Sequence, residues 1–424
     1  MVQANKCGEK AGMFSVCSAN AYVLRAAVRY AKKHNCTLII EATSNQVNQN
    51  GGYTGMVPQE FADLVHEIMD QEQVDSSLII LGGDHLGPIA WRNEPEAVAM
   101  QGAEEMVRAY TLAGFTKIHI DTSMRLGDDD PAKPLDTQVS ANRGARLAKV
   151  VQEAYAQRKA AHPDAMRPAL IIGSEVPVPG GSTEHEDSVK PTAPEEFRRQ
   201  VACFRKAFAE NGLDFSDVVA FVVQPGVEFG DDFVCMYDCK AARPLTDALK
   251  DYPGFAFEGH SSDYQTRYAL RELVEDGVAI LKVGPALTFA LREALVSLEE
   301  IEQMEIPGKN LSHFSAVLKN VLDNDDRYWK AYYFGTPAEV EFKKLYSFSD
   351  RCRYYLPNHE VSTAIKKLIS NLSEPIAPAY ISQFFPELFE QWQCGQVGSS
   401  AEDLILGRIG AVLDRYAYGC GENT

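Results

Sequence analysis

The sequence predicts an α/β protein built as a (β/α)₈ barrel with a helical C-terminal extension. Three observations carry that prediction. Short apolar, β-rich runs alternate eight times with longer stretches of helical period, over about 290 residues. Polar residues gather just after those runs, at the end where barrels place their chemistry. Beyond residue 304 the alternation stops and an aromatic-rich, helical pattern takes over.

The predicted strands are Met13–Cys17, Thr37–Thr43, Ser77–Gly82, Lys117–Asp121, Ala169–Val176, Val219–Gln224, Gly254–Glu258 and Ala279–Val283. Helical period is clearest at Ala21–His34, Pro58–Asp70, Pro95–Ala113, Pro194–Asn211, Ala241–Lys250, Asp263–Asp276 and Ala286–Glu302. Strands that alternate with helices build βαβ units and a parallel sheet, and eight units close it. An open doubly wound sheet is disfavoured because no G-x-G-x-x-G follows any strand. The chain therefore divides into a barrel over 1–304 and an extension over 305–424, the latter carrying Trp329, Tyr332, Tyr333, Tyr346, Tyr354, Tyr355, Phe384, Phe385 and Trp392. Most of these rings are expected in its core, a minority at an oligomer interface.

Composition narrows the function. The chain has 424 residues, 45% of them hydrophobic, enough for one large core beneath the barrel helices. A net charge of −18 argues against nucleic acid or a membrane surface as partner, since both require a basic face. It leaves an anionic small substrate open, because a pocket can be locally positive. The nine cysteines include no C-x-x-C pair, so neither a zinc ribbon nor a redox motif is supported, and free thiols in a reducing cytoplasm are expected. The start of the chain reads as polar, without the apolar core of a signal peptide, and no run approaches the length of a membrane span.

The strand ends carry more polar chemistry than packing requires. The second run leads into Glu41 and then Asn45-Gln46; the third ends in Asp84-His85; the fourth ends in His119-Ile-Asp121. The fifth gives Glu175, the sixth Gln224-Pro-Gly-Val-Glu228, the seventh Glu258-Gly-His260-Ser261-Ser262, and the eighth Lys282-Val-Gly284. A lone strand-end histidine is more often structural, but His85 and His260 beside several carboxylates suggest a divalent metal. Imidazole with carboxylate suits zinc in the first place, with manganese, nickel or iron left open. Asp84 would serve as general acid or base, with Asp121 and Glu175 orienting the histidines or moving protons. His119 and Asp121, two apart, share one strand face and read equally as a buried polar pair. Gly and Ser after the last two strands suggest a phosphate site using Ser261, Ser262, Lys282 and Gly284, with Asn45, Gln46 and Gln224 as further substrate contacts.

The blocks IEATSNQVNQNGGYTGM, LGGDHLGP, SEVPVPGG, VVQPGVEF, HSSDYQTR, ILKVGPALTFALREA, SDRCRYYLP and RYAYGC resemble the Z-type (GatZ/KbaZ) subunit family of tagatose-1,6-bisphosphate aldolase across nearly the whole chain. That resemblance implies a class II aldolase-like barrel in galactitol, tagatose or amino-sugar breakdown, acting as a subunit that stabilises or activates a separate catalytic class II subunit. Homo- or hetero-oligomers follow from it. Members also carry the label tagatose 6-phosphate kinase, which this sequence does not support: it has no G-x-x-x-x-G-K-[ST], and no nucleotide is expected.

By resemblance to catalytic class II aldolases, Asp84-His85 matches a catalytic Asp followed by a metal-binding His. His260 in Gly-His-Ser-Ser matches a later metal-binding His, and Lys282-Val-Gly284 the phosphate side. The departure follows the sixth strand, where a third ligand His of a Gly-Thr-x-His-Gly turn is replaced by Gln224-Pro-Gly-Val-Glu228. Two readings stay open. Glu228 completes the metal site with His85 and His260, or the site is degenerate and the chain serves a partner. In the first case the chain is an autonomous metal-dependent epimerase or aldolase, inverting the fourth carbon of a ketose or ketose phosphate by retro-aldol cleavage and rebonding.

Overall fold

The strands pair in chain order and close on themselves. The structure is a computed structural model that describes residues 1–9, 11–173 and 189–421. The barrel strands are β1 Met13–Cys17, β2 Leu38–Thr43, β3 Ile79–Leu86, β4 Lys117–Ile120, β5 Ala169–Ile172, β6 Val218–Val223, β7 Ala256–Gly259 and β8 Val278–Val283. Each pairs in parallel with the next, and β8 closes against β1 with Phe14 opposite Leu281 and Ser15 opposite Lys282. Around them lie α1 Ala21–His34, α2 Pro58–Glu72, α3 Glu96–Ala113, α4 Thr137–Ala161, α5 Pro194–Glu210, α6 Cys239–Leu249, α7 Arg267–Glu275 and α8 Pro285–Glu305.

Local chemistry sets the helix starts. Asn20 caps α1 by accepting from Tyr22 and Val23 N–H groups, and Asp136 caps α4 through Gln138. Proline opens α2, α5 and α8, where its missing N–H costs nothing. Buried alanine, leucine and phenylalanine on the inner helix faces meet the outward residues of the strands, such as Leu38, Ile40, Ile118, Leu170, Phe221 and Phe257.

The barrel interior is layered. Ile39, Ile171, Ala220, Val222 and Ile280 fill its lower part as a separate apolar cluster. Two residues further along β2 and β8, on the same pleat face, stand Glu41 and Lys282. They meet Lys117 of β4 and Glu258 of β7 in a buried ionic layer. Lys117 Nζ pairs with Glu41 and lies 2.7 Å from Glu258 Oε2, while Lys282 Nζ pairs with Glu41 and lies 2.8 Å from Asp84 Oδ1. Isolated charges could not stay ionised there; in alternation they hold one another.

Helix α4 was not among the predicted stretches, α7 begins four residues later than predicted, and two further places differ from the pattern of the sequence. β3 starts later and runs beyond its glycine pair to Leu86, because its register against β4 shifts between Gly83 and Leu86. After β6 the chain forms a short antiparallel hairpin, Glu228–Phe229 with Val234–Cys235, instead of passing directly to the next helix. Two-residue strands carry too little periodicity to be read.

From Ile306 onward the described residues contain no strand. Helices α9 Phe314–Asn324, α10 Pro337–Tyr346, α11 His359–Asn371, α12 Pro378–Phe384, α13 Pro386–Gln393 and α14 Ala401–Cys420 make up the extension. The last of these packs against α1, α7 and α8. Its Tyr416 hydroxyl donates to Ser262 O at 2.7 Å, and Gly12 N–H donates to Cys420 O at 3.1 Å, joining the two ends of the chain. A short 3₁₀ turn, Arg351–Tyr355, sits over the barrel mouth. It is moored through Asp350, which accepts from Thr288 Oγ1 at 2.6 Å, and through Phe348 O, which accepts from Tyr264 at 2.7 Å. No helix among the described residues is long and apolar enough to cross a membrane, and the nine cysteines form no disulfide with one another.

Candidate active site at the barrel mouth

The shift in β3 is what brings two consecutive residues to the mouth. A regular strand would send Asp84 and His85 to opposite faces. Here His85 takes a left-handed conformation, φ 49°, inside the irregular stretch, so both side chains face the site. Gly87 fixes the arrangement: a Cβ there would stand 1.7 Å from Asp121 O, so only glycine lets the ends of β3 and β4 approach. Gly82 does the same for the ionic layer, since its Cβ would meet Glu41 at 2.6 Å. On β4 plain alternation suffices, with Lys117, His119 and Asp121 sharing one face, as do Glu258 and His260 at the end of β7.

The result is a buried cluster. His85, His119 and His260 form a triangle with ring centres 5.0–5.1 Å apart. His85 Nδ1 lies 2.8 Å from Asp121 Oδ2, His119 Nδ1 lies 2.8 Å from Asp84 Oδ1, and His260 Nε2 lies 2.9 Å from Glu258 Oε1. His85 N lies 3.1 Å from His119 Nδ1, and Cys17 Sγ donates to Asp84 Oδ2 at 3.5 Å. Above it opens a pocket lined by Cys17, Asn45, Gln46, Tyr53, Asp84, His85, His260, Ser261, Asp263, Lys282 and Gly284, and roofed by Arg353 and Tyr354 of the extension.

Electrostatics follow from burial and pairing. Burial works against the charge of His85, but the Asp84 charge and the Asp121 hydrogen bond outweigh it and lift the imidazole to about 9. Asp121 falls to about 2, its own burial overcome by its bond to His85. Asp84 is held well below the usual carboxylate range: burial opposes this, and His85, His119 and His260 reverse it. Burial lowers His260, and it also brings Lys282 down to about 8, although carboxylates of Glu41 and Asp84 flank that ammonium. Burial pushes the Cys17 thiol up to about 12, which makes it a neutral donor to Asp84.

The residues fit a divalent metal. Donor atoms of Asp84, His119, Glu258 and His260 all lie within 4.8 Å of one another, and all four side chains are buried. His119 Nε2 is buried with no hydrogen-bond partner among the described residues, and a bound cation would supply one.

Measured against the sequence, the structure gathers Asp84, His85, Asp121, His260 and Lys282, and adds His119, Glu258, Glu41, Lys117 and Cys17. Glu228 stands outside the metal-capable group, on the hairpin, with its Oε1 accepting from Phe229 N–H at 3.0 Å. In the turn after β6, Gln224 Oε1 accepts from Gly226 and Val227 N–H groups, so that side chain folds the turn. Asn45, Gln46, Ser261 and Gly284 line the pocket, but Ser262 Oγ is turned below it to donate to Lys282 O at 2.6 Å. Glu175 lies outside the described residues. The expected phosphate cradle at the start of α8 already has an internal acceptor, since Gly284 and Ala286 N–H groups both donate to Asp263 Oδ1, at 3.0 and 2.8 Å. The polar-apolar alternation of Lys117-Ile-His119-Ile-Asp121 and Glu258-Gly-His260 was the signal for the added residues. Nothing comparable marked Arg353.

Comparison with known proteins bears on this geometry. The family model described as D-tagatose-1,6-bisphosphate aldolase subunit GatZ/KbaZ-like matches residues 1–421. A crystal structure of a probable tagatose 6 phosphate kinase from Sinorhizobium meliloti 1021 is 42% identical, covering 96% of this chain and 100% of that one, with a TM-score of 0.87. Two further structures match at distances that carry no argument. One is a fructuronate-tagaturonate epimerase from Cohnella laeviribosi, at 13% identity over 98% of this chain and 82% of that one, TM-score 0.49. The other is a fructose-bisphosphate aldolase from Campylobacter jejuni, at 15% identity over 88% and 90%, TM-score 0.46. With a closed eightfold barrel, a buried histidine-carboxylate cluster at its mouth and a match over almost its entire length, this chain belongs to the D-tagatose-1,6-bisphosphate aldolase subunit GatZ/KbaZ-like family.

Proposed function

We propose that the chain is itself a metal-dependent enzyme acting on a ketose or ketose phosphate by retro-aldol chemistry, cleaving the C3–C4 bond and rebonding it to invert the fourth carbon. The observation that carries this reading is the buried, unpartnered Nε2 of His119, grouped with Asp84, Glu258 and His260, of which Asp84 and His260 line the pocket. A buried imidazole nitrogen without a partner, in a group of carboxylates and a second imidazole, supports a ligand role.

His119, Glu258 and His260 would hold the ion, with Asp84 beside it. When bound, a divalent metal polarises the carbonyl and hydroxyl oxygens near the breaking bond and lowers the cost of charge there. Asp84, ionised and facing the pocket, accepts the C4 hydroxyl proton as the C3–C4 pair moves toward the C2 carbonyl. It returns that proton once the bond has reformed on the other carbonyl face, so no atom is gained or lost. Glu175 is the second proton carrier on this reading. Lys282 faces the developing oxygen charge, and the bond to Asp121 keeps the His85 ring in place.

A second reading, an accessory subunit for a catalytic class II partner, rests on the exposed rings of Phe334, Phe342 and Tyr346 on the extension. The test is turnover by the purified chain alone, stripped by a chelator and then reloaded with zinc, manganese, nickel or iron. Tagatose, fructose and their phosphates are supplied, and both cleavage and epimer products are followed. Metal-restored turnover is expected; silence with every metal and substrate would leave the accessory reading standing.

A further inference from the structure

The geometry points to Arg353, supplied by the extension, as the anchor for a single anionic group on the substrate, a phosphate ester or a carboxylate at the end of a ketose chain. The inference rests on the ketose reading above and names the substrate's charge.

Cations that line the pocket are few. Lys282 is flanked by Glu41 and Asp84, and His85 by Asp84 and Asp121. Arg353 has no carboxylate within ion-pair distance among the described residues, although it lines the same pocket. Its guanidinium is nonetheless held in place. Nη1 donates to Ser349 O and to Asp350 O, the latter at 3.0 Å; Nη2 donates to Tyr354 Oη at 3.1 Å, and the group stacks 4.5 Å over that ring. Three of its five N–H donors are thus spent on orientation. The Nε–H and one Nη2–H have no partner among the described residues, and a guanidinium edge is the planar fork that matches two oxygens of a phosphate or carboxylate. An unpaired cation on a substrate pocket is what an anionic substrate would neutralise.

The alternative anchor is closed. Barrels commonly hold phosphate on N–H groups at the helix that follows the last strand. Here those of Gly284 and Ala286 are taken by the Asp263 carboxylate, which would repel a second anion. The anion is therefore displaced to the arginine in the roof.

The test is equilibrium binding by calorimetry on the full-length, metal-loaded chain, which needs no turnover, so its failure is separate from failure of the retro-aldol reading. The probes are D-fructose, D-fructose 6-phosphate and D-fructuronate. The native chain is expected to bind one anionic sugar at least about tenfold more tightly than fructose, and whichever it prefers identifies phosphate or carboxylate as the group. In Arg353→Ala the ratio of anionic to neutral affinity should fall to near one. Should that variant fail to fold, Arg353→Lys keeps the charge without the fork and should cut the ratio at least about fivefold. A native chain with no preference for either anion overturns the proposal. So does a variant in which all affinities drop together or none changes, because a merely structural arginine would leave the ratio intact.

Discussion

His119 Nδ1 lies 2.8 Å from Asp84 Oδ1, and the opposite nitrogen of the same ring is buried without a partner. One side of the imidazole is thus oriented by protein, and the other is presented to whatever occupies the cluster. Removing the ring should therefore remove a ligand and leave the scaffold. His119→Ala is expected to lower divalent-metal affinity by about 100-fold or more, measured by titrating the chelator-stripped chain. Unaltered affinity would take His119 out of the metal set.

Two glutamates separate the sequence reading from the geometry. Glu258 bonds His260 and meets Lys117, whereas Glu228 sits on the hairpin. Glu258→Gln should weaken metal binding at least about tenfold, and Glu228→Gln should change it by less than about threefold. Calorimetry on both variants decides between them, and the reverse order would restore Glu228 as a ligand.

Lys117 bridges Glu41 and Glu258 inside the barrel, with all three side chains almost fully enclosed. Lys117→Met fills a similar volume but leaves two carboxylates facing each other. A loss of about 3–5 kcal/mol in urea unfolding is expected. Pairing the change with Glu41→Gln should recover part of it, because fewer charges are then left uncompensated. A loss within 1 kcal/mol would mean that water reaches the layer.

Asp263 titrates in the folded chain at about 6, above the usual 3.8, because burial outweighs the N–H donors of Ala286 and Gly284. The fold thus favours its protonated form. That contribution to stability is complete below pH 3.8 and lost as pH rises through about 6. Asparagine still accepts both N–H groups and carries no charge. Asp263→Asn should therefore gain on the native chain by about 3 kcal/mol between acid and pH 8, followed by unfolding at a series of pH values. A difference that stays constant across that range would mean the carboxylate is solvated.

The barrel was legible because its strands are apolar runs at regular spacing, and the mouth was legible because inward faces of β4 and β7 keep a strict period of two. What escaped was set by contacts distant in sequence or by irregular backbone. The left-handed turn at His85 turns a neighbour pair into a shared site, and no residue pattern announces it. The ionic layer joins Glu41, Lys117, Glu258 and Lys282 from four strands, each a lone charge in an apolar run until the barrel closes. The departure after β6 pointed to Glu228, whereas the metal-capable group contains Glu258, and Gln224 is engaged in folding the turn between β6 and the hairpin. Arg353 lies in a single 3₁₀ turn whose position depends on Asp350 meeting Thr288.

That last dependence has a consequence for how the molecule comes into being. The roof of the pocket belongs to residues made after the eight strands have left the ribosome, and the C-terminal helix must still reach back to the first strand through Cys420 and Gly12. The eight strands enclose the ionic layer, but the pocket above it is completed only by contacts between barrel and extension. A chain cut back before residue 351 would keep all eight strands yet lose the roof, and it would bare the faces of α1, α7 and α8 that helix α14 covers.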